Sequence, residues 1–362
     1  MPMILDAAST VFWGVLTFSI LIVLHEGGHF VAARMFGVKV HEFMIGLPGP
    51  ALRLHTRGGT VFGITAVPLG GYVRIAGMEP GAEDELLAPA LATVVHEGRA
   101  DAASIARELG VEQERASALL VTLADWGAIA PDTTDDVSYV PVIDERSETP
   151  DELLDRARSV TYRGLSTMKR ILVLSAGVLV NLVTAIAVFT FVLSIWGYYE
   201  QSLVLSEVMP DSAAASAGLQ VGDTLLSLEG ETFETWPEFA DSIATYDPGS
   251  EVTVGWERDG APRQATVELG RSPAGTAFLG VGPTVTPVDL TVFEAMAESI
   301  SWIGLVFVAI GNFFNPATFS QSVEGARSVV GISVEVQKAV EAGPLNYAWI
   351  VALLSLSLGV MN

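Results

Sequence analysis

The amino-acid sequence predicts a polytopic α-helical membrane protein. It has about three full spans, one shorter helix that lies in the interface or re-enters, and two folded parts outside the bilayer. Three observations carry this expectation. Half of the 362 residues are hydrophobic, which in a chain of this length points to several spans. Ile171–Trp196 is an uncharged run of 26 residues, enough to cross the hydrocarbon core unaided. Lys and Arg are spread unevenly, with 14 between Gly27 and Arg170 against three between Gly197 and Glu294. Basic residues stay inside, so the N-terminus is expected to face out. Residues 37–170 are then cytoplasmic and the domain that follows the second span extracytoplasmic.

Residues 1–36 form the first expected span. Its apolar run, about Ala7 to Phe30, is long enough only if it includes His25-Glu26-Gly27-Gly28-His29. No basic residue precedes it, which argues against a cleaved signal peptide. On a helix, His25 and His29 lie about 40° apart on one face, one turn separated, so both imidazoles can reach one metal ion. Glu26 stands beside them, placed to take a proton from a water that zinc activates. Ionisable groups at membrane depth are costly and mark function. The chain has no cysteine, so a zinc site must use His and carboxylate ligands, and the outer domain has no disulfide.

Residues 37–79 are expected to form a cytoplasmic, membrane-associated β-hairpin region. Thr60–Ala76 reads as two β-rich runs around Pro68-Leu69-Gly70-Gly71. A membrane substrate arrives as a helix with its backbone satisfied internally, and an exposed strand near the metal could pair with the unwound segment. That makes Gly70, Gly71, Tyr72 and Val73 candidate substrate-binding residues, with capping of the first helix as the plainer alternative. Residues 80–155 form an acidic insert. Ala102–Gly110, Glu112–Trp126 and Ala130–Val142 have the look of a winged helix-turn-helix, and Ser147–Asp155 reads as an acidic linker back to the membrane. Nothing here forms a basic footprint for DNA: Leu91–Val142 holds three arginines against nine acidic residues, and the whole chain carries a net charge of −23, which argues against a nucleic-acid partner. The insert is read as an accessory module for a protein partner or as an inert insertion.

The second span occupies 156–197. Residues 198–288 read as a mixed α/β domain, and Pro210–Gly230 resembles the signature of bacterial PDZ domains. A short helix ends at Gly218, a Val-Gly-Asp turn follows, and a strand runs from Leu225 to Leu228. A helix over Trp236–Ala244 and strands over Glu251–Arg258 and Arg263–Leu269 complete it. Such a domain takes extended peptides by strand addition, for which Leu203–Val208 is the expected groove strand, with Leu205, Ser206, Glu207 and Val208 lining it. The plainer alternative is a folded spacer that filters access by size. Residues 289–344 hold the interfacial or re-entrant helix, Ile300–Phe314, and a connector, and 345–362 begin the last span.

With these parts in order, the chain resembles the bacterial site-2 protease family of intramembrane zinc metalloproteases. Leu24-His25-Glu26-Gly27-Gly28-His29-Phe30 resembles the family's zinc motif, Glu42-Phe43-Met44-Ile45-Gly46 its E-F-x-x-G stretch, and Pro68-Leu69-Gly70-Gly71-Tyr72-Val73 its P-L-G-G-Y-V loop. Ala176-Gly177-Val178-Leu179-Val180-Asn181 resembles its second-span motif, except that Val178 stands where the family usually has proline. Ser357-Leu358-Gly359-Val360-Met361-Asn362 resembles the stretch before its last ligand. The resemblance implies an endopeptidase of the bacterial plasma membrane that uses one Zn2+. Its substrate would be a pre-trimmed single-span membrane protein such as an anti-sigma factor, and its PDZ-like domain would meet a peptide or the substrate's ectodomain. It implies that Glu26 is catalytic and that His25 and His29 are ligands. The third ligand would be an aspartate in an L-D-G motif just beyond Asn362, so the natural chain is expected to continue and this one to lack a ligand that activity needs. Asn362 itself is implied to bind the substrate backbone or the developing oxyanion, with amide-mediated helix packing the alternative. For Asn181 packing is favoured. The rival functional class is a non-catalytic membrane peptide-binding module or scaffold.

Overall fold

The structure is a computed structural model that describes residues 2–79, 82–135, 137–142, 149–272, 275–315 and 328–362. The chain divides into two units, Met1–Phe189 with Met296–Asn362, and Thr190–Ala295.

The first unit opens with α1 (Pro2–Met35), a 34-residue helix that continues through the whole histidine motif. Four strands follow: β1 (Val40–Ile45), β2 (Ala51–Arg57), β3 (Thr60–Thr65) and β4 (Gly71–Ile75). They form one sheet in the order β2-β3-β1-β4. The expected hairpin is therefore not formed. β3 and β4 do not pair with each other but flank β1, which runs parallel to β3 and antiparallel to β4. Val40–Ile45 supplies two-sided pairing that a hairpin read from 60–76 alone leaves out, and β4 becomes an edge. Thr60 is fully buried and donates its hydroxyl to the Val40 carbonyl, closing the sheet end.

The insert contains α2 (Leu87–Glu97), β5 (Ala100–Asp101), α3 (Ala102–Leu109), α4 (Gln113–Trp126), β6 (Ile129–Pro131) and β7 (Ser138–Pro141), with a small sheet in the order β5-β7-β6. It is followed by α5 (Pro150–Ser159), capped by a reciprocal Thr149–Glu152 box. The expected linker over 147–155 is overturned for its described part. Leu153, Leu154 and Ala157 of α5 are buried in the same apolar core as Leu91, Ile105, Leu120 and Trp126, because the i, i+1, i+4 spacing sets one face of α5 on α2. Residues 143–148 lie outside the described residues. One buried carboxylate joins the insert to the four-stranded sheet. Asp125 of α4 accepts the Gly77 N–H at 2.8 Å, and His41 Nε2 lies 2.7 Å from its carbonyl and 3.2 Å from its carboxylate. Burial alone would raise this carboxyl, but those hydrogen bonds and the charge of Arg74 outweigh it and hold Asp125 below its ordinary range.

α6 (Thr167–Trp196) follows and carries the expected second span. The second unit then holds β8 (Tyr198–Val208), α7 (Ala213–Ala217), β9 (Thr224–Leu228), β10 (Glu231–Thr232), α8 (Trp236–Ala244), β11 (Glu251–Arg258), β12 (Ala261–Glu268), β13 (Gly270–Arg271), β14 (Ala277–Phe278) and β15 (Val281–Val288). The main sheet runs β12-β11-β9-β8-β15, with β10 beside β9. The helix ending at Gly218, the helix at 236–244 and the strand at 251–258 match expectation. The groove strand does not. β8 is interior, paired with β15 through Val208↔Val281, Glu207↔Gly282 and Leu205↔Pro283 and with β9 at Val204. Leu205 is 1 % exposed and packs in the core, and β8 lies between β15 and β9 rather than at the end of the sheet. The strand that covers β8 follows a Phe278-Leu279-Gly280 turn some 70 residues later in the chain.

Back in the first unit lie α9 (Val292–Phe314), α10 (Val329–Ala342) and α11 (Pro344–Met361). Ile300–Phe314 is the second half of a continuous 23-residue helix rather than an isolated segment. Trp302 of α9 packs edge-on with Phe189 of α6 and Trp349 of α11, at ring-centre distances of 5.1–5.5 Å. α10 lies on α1, where Gly14 leaves room for Ser333 and Thr10 bonds Gln337. Among the described residues, three helices are long and apolar enough to cross a membrane: Ala7–Met35, Thr167–Trp196 and Pro344–Met361.

Candidate metal centre

The site is built where α1 meets α6. The two helices touch because two glycines face across the contact. A Cβ on Gly28 would stand 2.5 Å from the Ala176 carbonyl oxygen, and one on Gly177 would stand 2.6 Å from both His25 Nε2 and His29 Nε2. The α6 backbone therefore closes on the histidine face of α1, with the span of one missing methyl left between them.

Into that space both histidines turn the same nitrogen. His25 Nε2 and His29 Nε2 are 3.2 Å apart, the separation of two donors on one tetrahedral ion at about 2.0–2.1 Å from each. The opposite ring nitrogens are held by α6. His29 Nδ1 donates to the Val173 carbonyl at 2.7 Å, which leaves its Nε2 with a free lone pair. His25 Nδ1 is 3.3 Å from the side-chain nitrogen of Asn181. The donor set and the Gly177 cradle fit a zinc ion. Among the described residues no group of three or more His, Asp or Glu is placed to hold a metal.

Glu26 lies one residue along α1. Its Oε2 accepts the backbone N–H of Val73 at 3.1 Å, so the edge strand β4 runs directly past the carboxylate. β4 is seated on α1 by small residues: Ser19 accepts the Gly70 N–H and donates to the Pro68 carbonyl, and a Cβ on Gly70 would meet Ile22 at 3.1 Å. Gly71 lies against Val23. Gly70, Gly71 and Val73 are thus brought to the site. Tyr72 is not, because its side chain alternates to the other side and donates to Glu42. Asn362 is exposed and turns its amide onto the Leu358 carbonyl of its own helix. Gly177 and Asn181 were absent from the expected site. The available signal was a glycine and a buried-type amide four residues apart inside an uncharged span.

Comparison with known proteins gives the same answer over nearly the whole chain. The model of Peptidase family M50 matches residues 13–362. The chain is 28% identical over 379 residues to Zinc metalloprotease RasP of Oceanobacillus iheyensis, covering 98% of this chain and 86% of that one. It is 29% identical over 368 residues to Zinc metalloprotease RasP of Shouchella clausii, covering 95% and 84%. A crystal structure of the PDZ domain of the SdrC-like protein Lin2157 from Listeria innocua is also similar, at 24% identity and a TM-score of 0.22, covering 23% of this chain and 92% of that one. A histidine pair aimed at one point, a carboxylate beside it and a family match from the first span to the last residue agree: the chain belongs to Peptidase family M50, as a membrane zinc metalloendopeptidase of the site-2 protease type.

Proposed function

We propose that this protein cleaves a pre-trimmed single-span membrane protein, of the anti-sigma-factor type, within the bacterial plasma membrane. The observation that carries the reading is the convergence of His25 and His29 over Gly177, with Glu26 held at the open edge of β4. His25 and His29, with the aspartate expected beyond Asn362, would hold one zinc ion. Zinc in such a site supplies Lewis acidity, which makes a water acidic enough to attack near neutral pH and polarises the scissile carbonyl. Glu26 would serve there as the general base toward the attacking water and as the proton donor to the leaving amine. β4 binds the unwound substrate by strand addition, its outward backbone at Gly71 and Val73 meeting the extended chain beside Glu26.

The N-terminus and the PDZ-like domain face out, and residues 37–170 face the cytoplasm, supported by the distribution of Lys and Arg. The α9 helix lies in the outer interface or re-enters, which lets α11 run inward. Peptide or substrate ectodomain binds the PDZ-like domain at the outer edge of β15, where the sheet ends. The insert is an accessory module without a nucleic-acid partner.

The test measures zinc content and cleavage of a model transmembrane substrate, on this chain and on one extended through the L-D-G segment. The extended protein is expected to bind one zinc and cut. Its Glu26→Gln variant is expected to bind zinc and lose roughly 10²–10⁴-fold in rate. An extended protein without zinc would sink the proposed site.

A further inference from the structure

Asn181 is fully buried in α6 and stands behind His25 as seen from the metal cradle. Its side-chain nitrogen is the atom that faces His25 Nδ1, and its Oδ1 is buried with no hydrogen-bond partner. A buried amide oxygen with no partner is costly. In this arrangement the Asn181 N–H donates to Nδ1, and His25 must carry its own proton on Nε2, aimed at His29. That proton occupies the space in which both Nε2 lone pairs are needed for a metal.

The two ends of an amide are nearly the same size, so a half-turn of the Asn181 side chain exchanges them. Oδ1 then accepts from His25 Nδ1–H, and the His25 Nε2 lone pair points at the cradle beside that of His29. One rotation clears the His25 Nε2 proton from the cradle and gives Oδ1 a partner, and the amide nitrogen takes the place that Oδ1 held. His29 already has the equivalent support from the Val173 carbonyl. The same residue is also fixed from the far side: Ser355 of α11 donates to the Asn181 carbonyl at 2.8 Å, and a Cβ on Gly359 would meet the Asn181 Cβ at 3.4 Å.

We propose that Asn181 is a positioning residue for the metal centre: its side-chain oxygen accepts from His25 Nδ1 and thereby presents His25 Nε2 to zinc. It does for His25 what the α6 backbone does for His29. This inference rests on the zinc reading of His25 and His29 and deepens it.

Zinc affinity of the purified protein extended through the L-D-G segment, measured by competition with a chromophoric chelator, tests it without reference to activity. Asn181→Leu and Asn181→Ala remove the acceptor and are expected to weaken zinc by roughly 10- to 100-fold. Asn181→Asp keeps an acceptor in the same place and is expected to stay within about threefold of the parent or to bind more tightly. Ser355→Ala breaks only the α6–α11 hydrogen bond and is expected to leave affinity within about threefold. Circular dichroism in detergent checks that each variant is helical. The Ala variant and the Asp rescue keep the test decisive if the Leu variant misfolds. The proposal is overturned if the Leu or Ala variant binds zinc like the parent, or if Asp is as weak as Ala. A parent protein that binds no zinc overturns the zinc reading itself, and this inference with it.

Discussion

The two main sheets of this protein each end on a strand with an open side, and they arrive there differently. In the first unit the outer strand is β4, packed along α1 with its Val73 N–H given to Glu26. In the second unit the outer strand on the β8 side is β15, and β8 lies beneath it, tied to β9 on its other flank. Both β4 and β8 have the alternating apolar pattern and flanking turns of a strand that could accept a peptide. The difference is whether another segment claims the edge. A strand's propensity is local, whereas its availability depends on a partner that can be far along the chain.

Four substitutions sharpen or break that comparison. The largest effect is expected at the helix contact that seats the metal centre beside β4. Gly177→Ala puts a methyl 2.6 Å from both Nε2 atoms, so zinc binding should be lost, as read by metal content after dialysis. Retained zinc would mean that α6 stands further from the histidines than described. Next, Leu205→Ala should cost about 2–5 kcal/mol of the second unit's stability in a denaturant titration, because β8 is core. An unchanged midpoint with weakened peptide binding would restore β8 as a groove.

The Asp223–Arg258 pair beneath the same sheet gives a smaller, pH-dependent effect. Arg258 holds Asp223 by two 2.7 Å bonds, and this guanidinium keeps the buried carboxyl below its ordinary range. A lowered folded-state pKa stabilises the fold above the unfolded value and is lost as pH falls through the folded value. Asp223→Asn should therefore cost about 2 kcal/mol at neutral pH and flatten the acid limb of the stability curve, read by thermal melts. A parallel acid limb in the variant would remove Asp223 from the account. The smallest effect belongs to the β4 edge. Val73→Pro removes one N–H and should lower kcat/KM for a transmembrane substrate by about tenfold, the weight of one hydrogen bond. No change would argue against strand addition at β4.

Much of this was legible in order of residues. His25 and His29 are four residues apart on one helix, with Glu26 next to His25, so the shared face of the two histidines follows from 3.6 residues per turn. The helix at 236–244 and the strand at 251–258 carry their own caps and alternation. What failed was pairing. Thr60–Ala76 looks like a hairpin until Val40–Ile45 enters between its arms, and Pro150–Ser159 looks like a linker until α2 covers Leu153 and Leu154.

The sequence by itself determined that two histidines and a glutamate share the end of an apolar span and that cysteine takes no part, since each depends on residue type and short spacing. Only the tertiary structure decided which strand is an edge, that Gly177 leaves the cradle in which two imidazoles converge, and that Asn181 stands behind His25. The contacts of His25 with Gly177 and Asn181 join segments about 150 residues apart, the strand pairings are non-local too, and no local rule of spacing or propensity reaches across such distances.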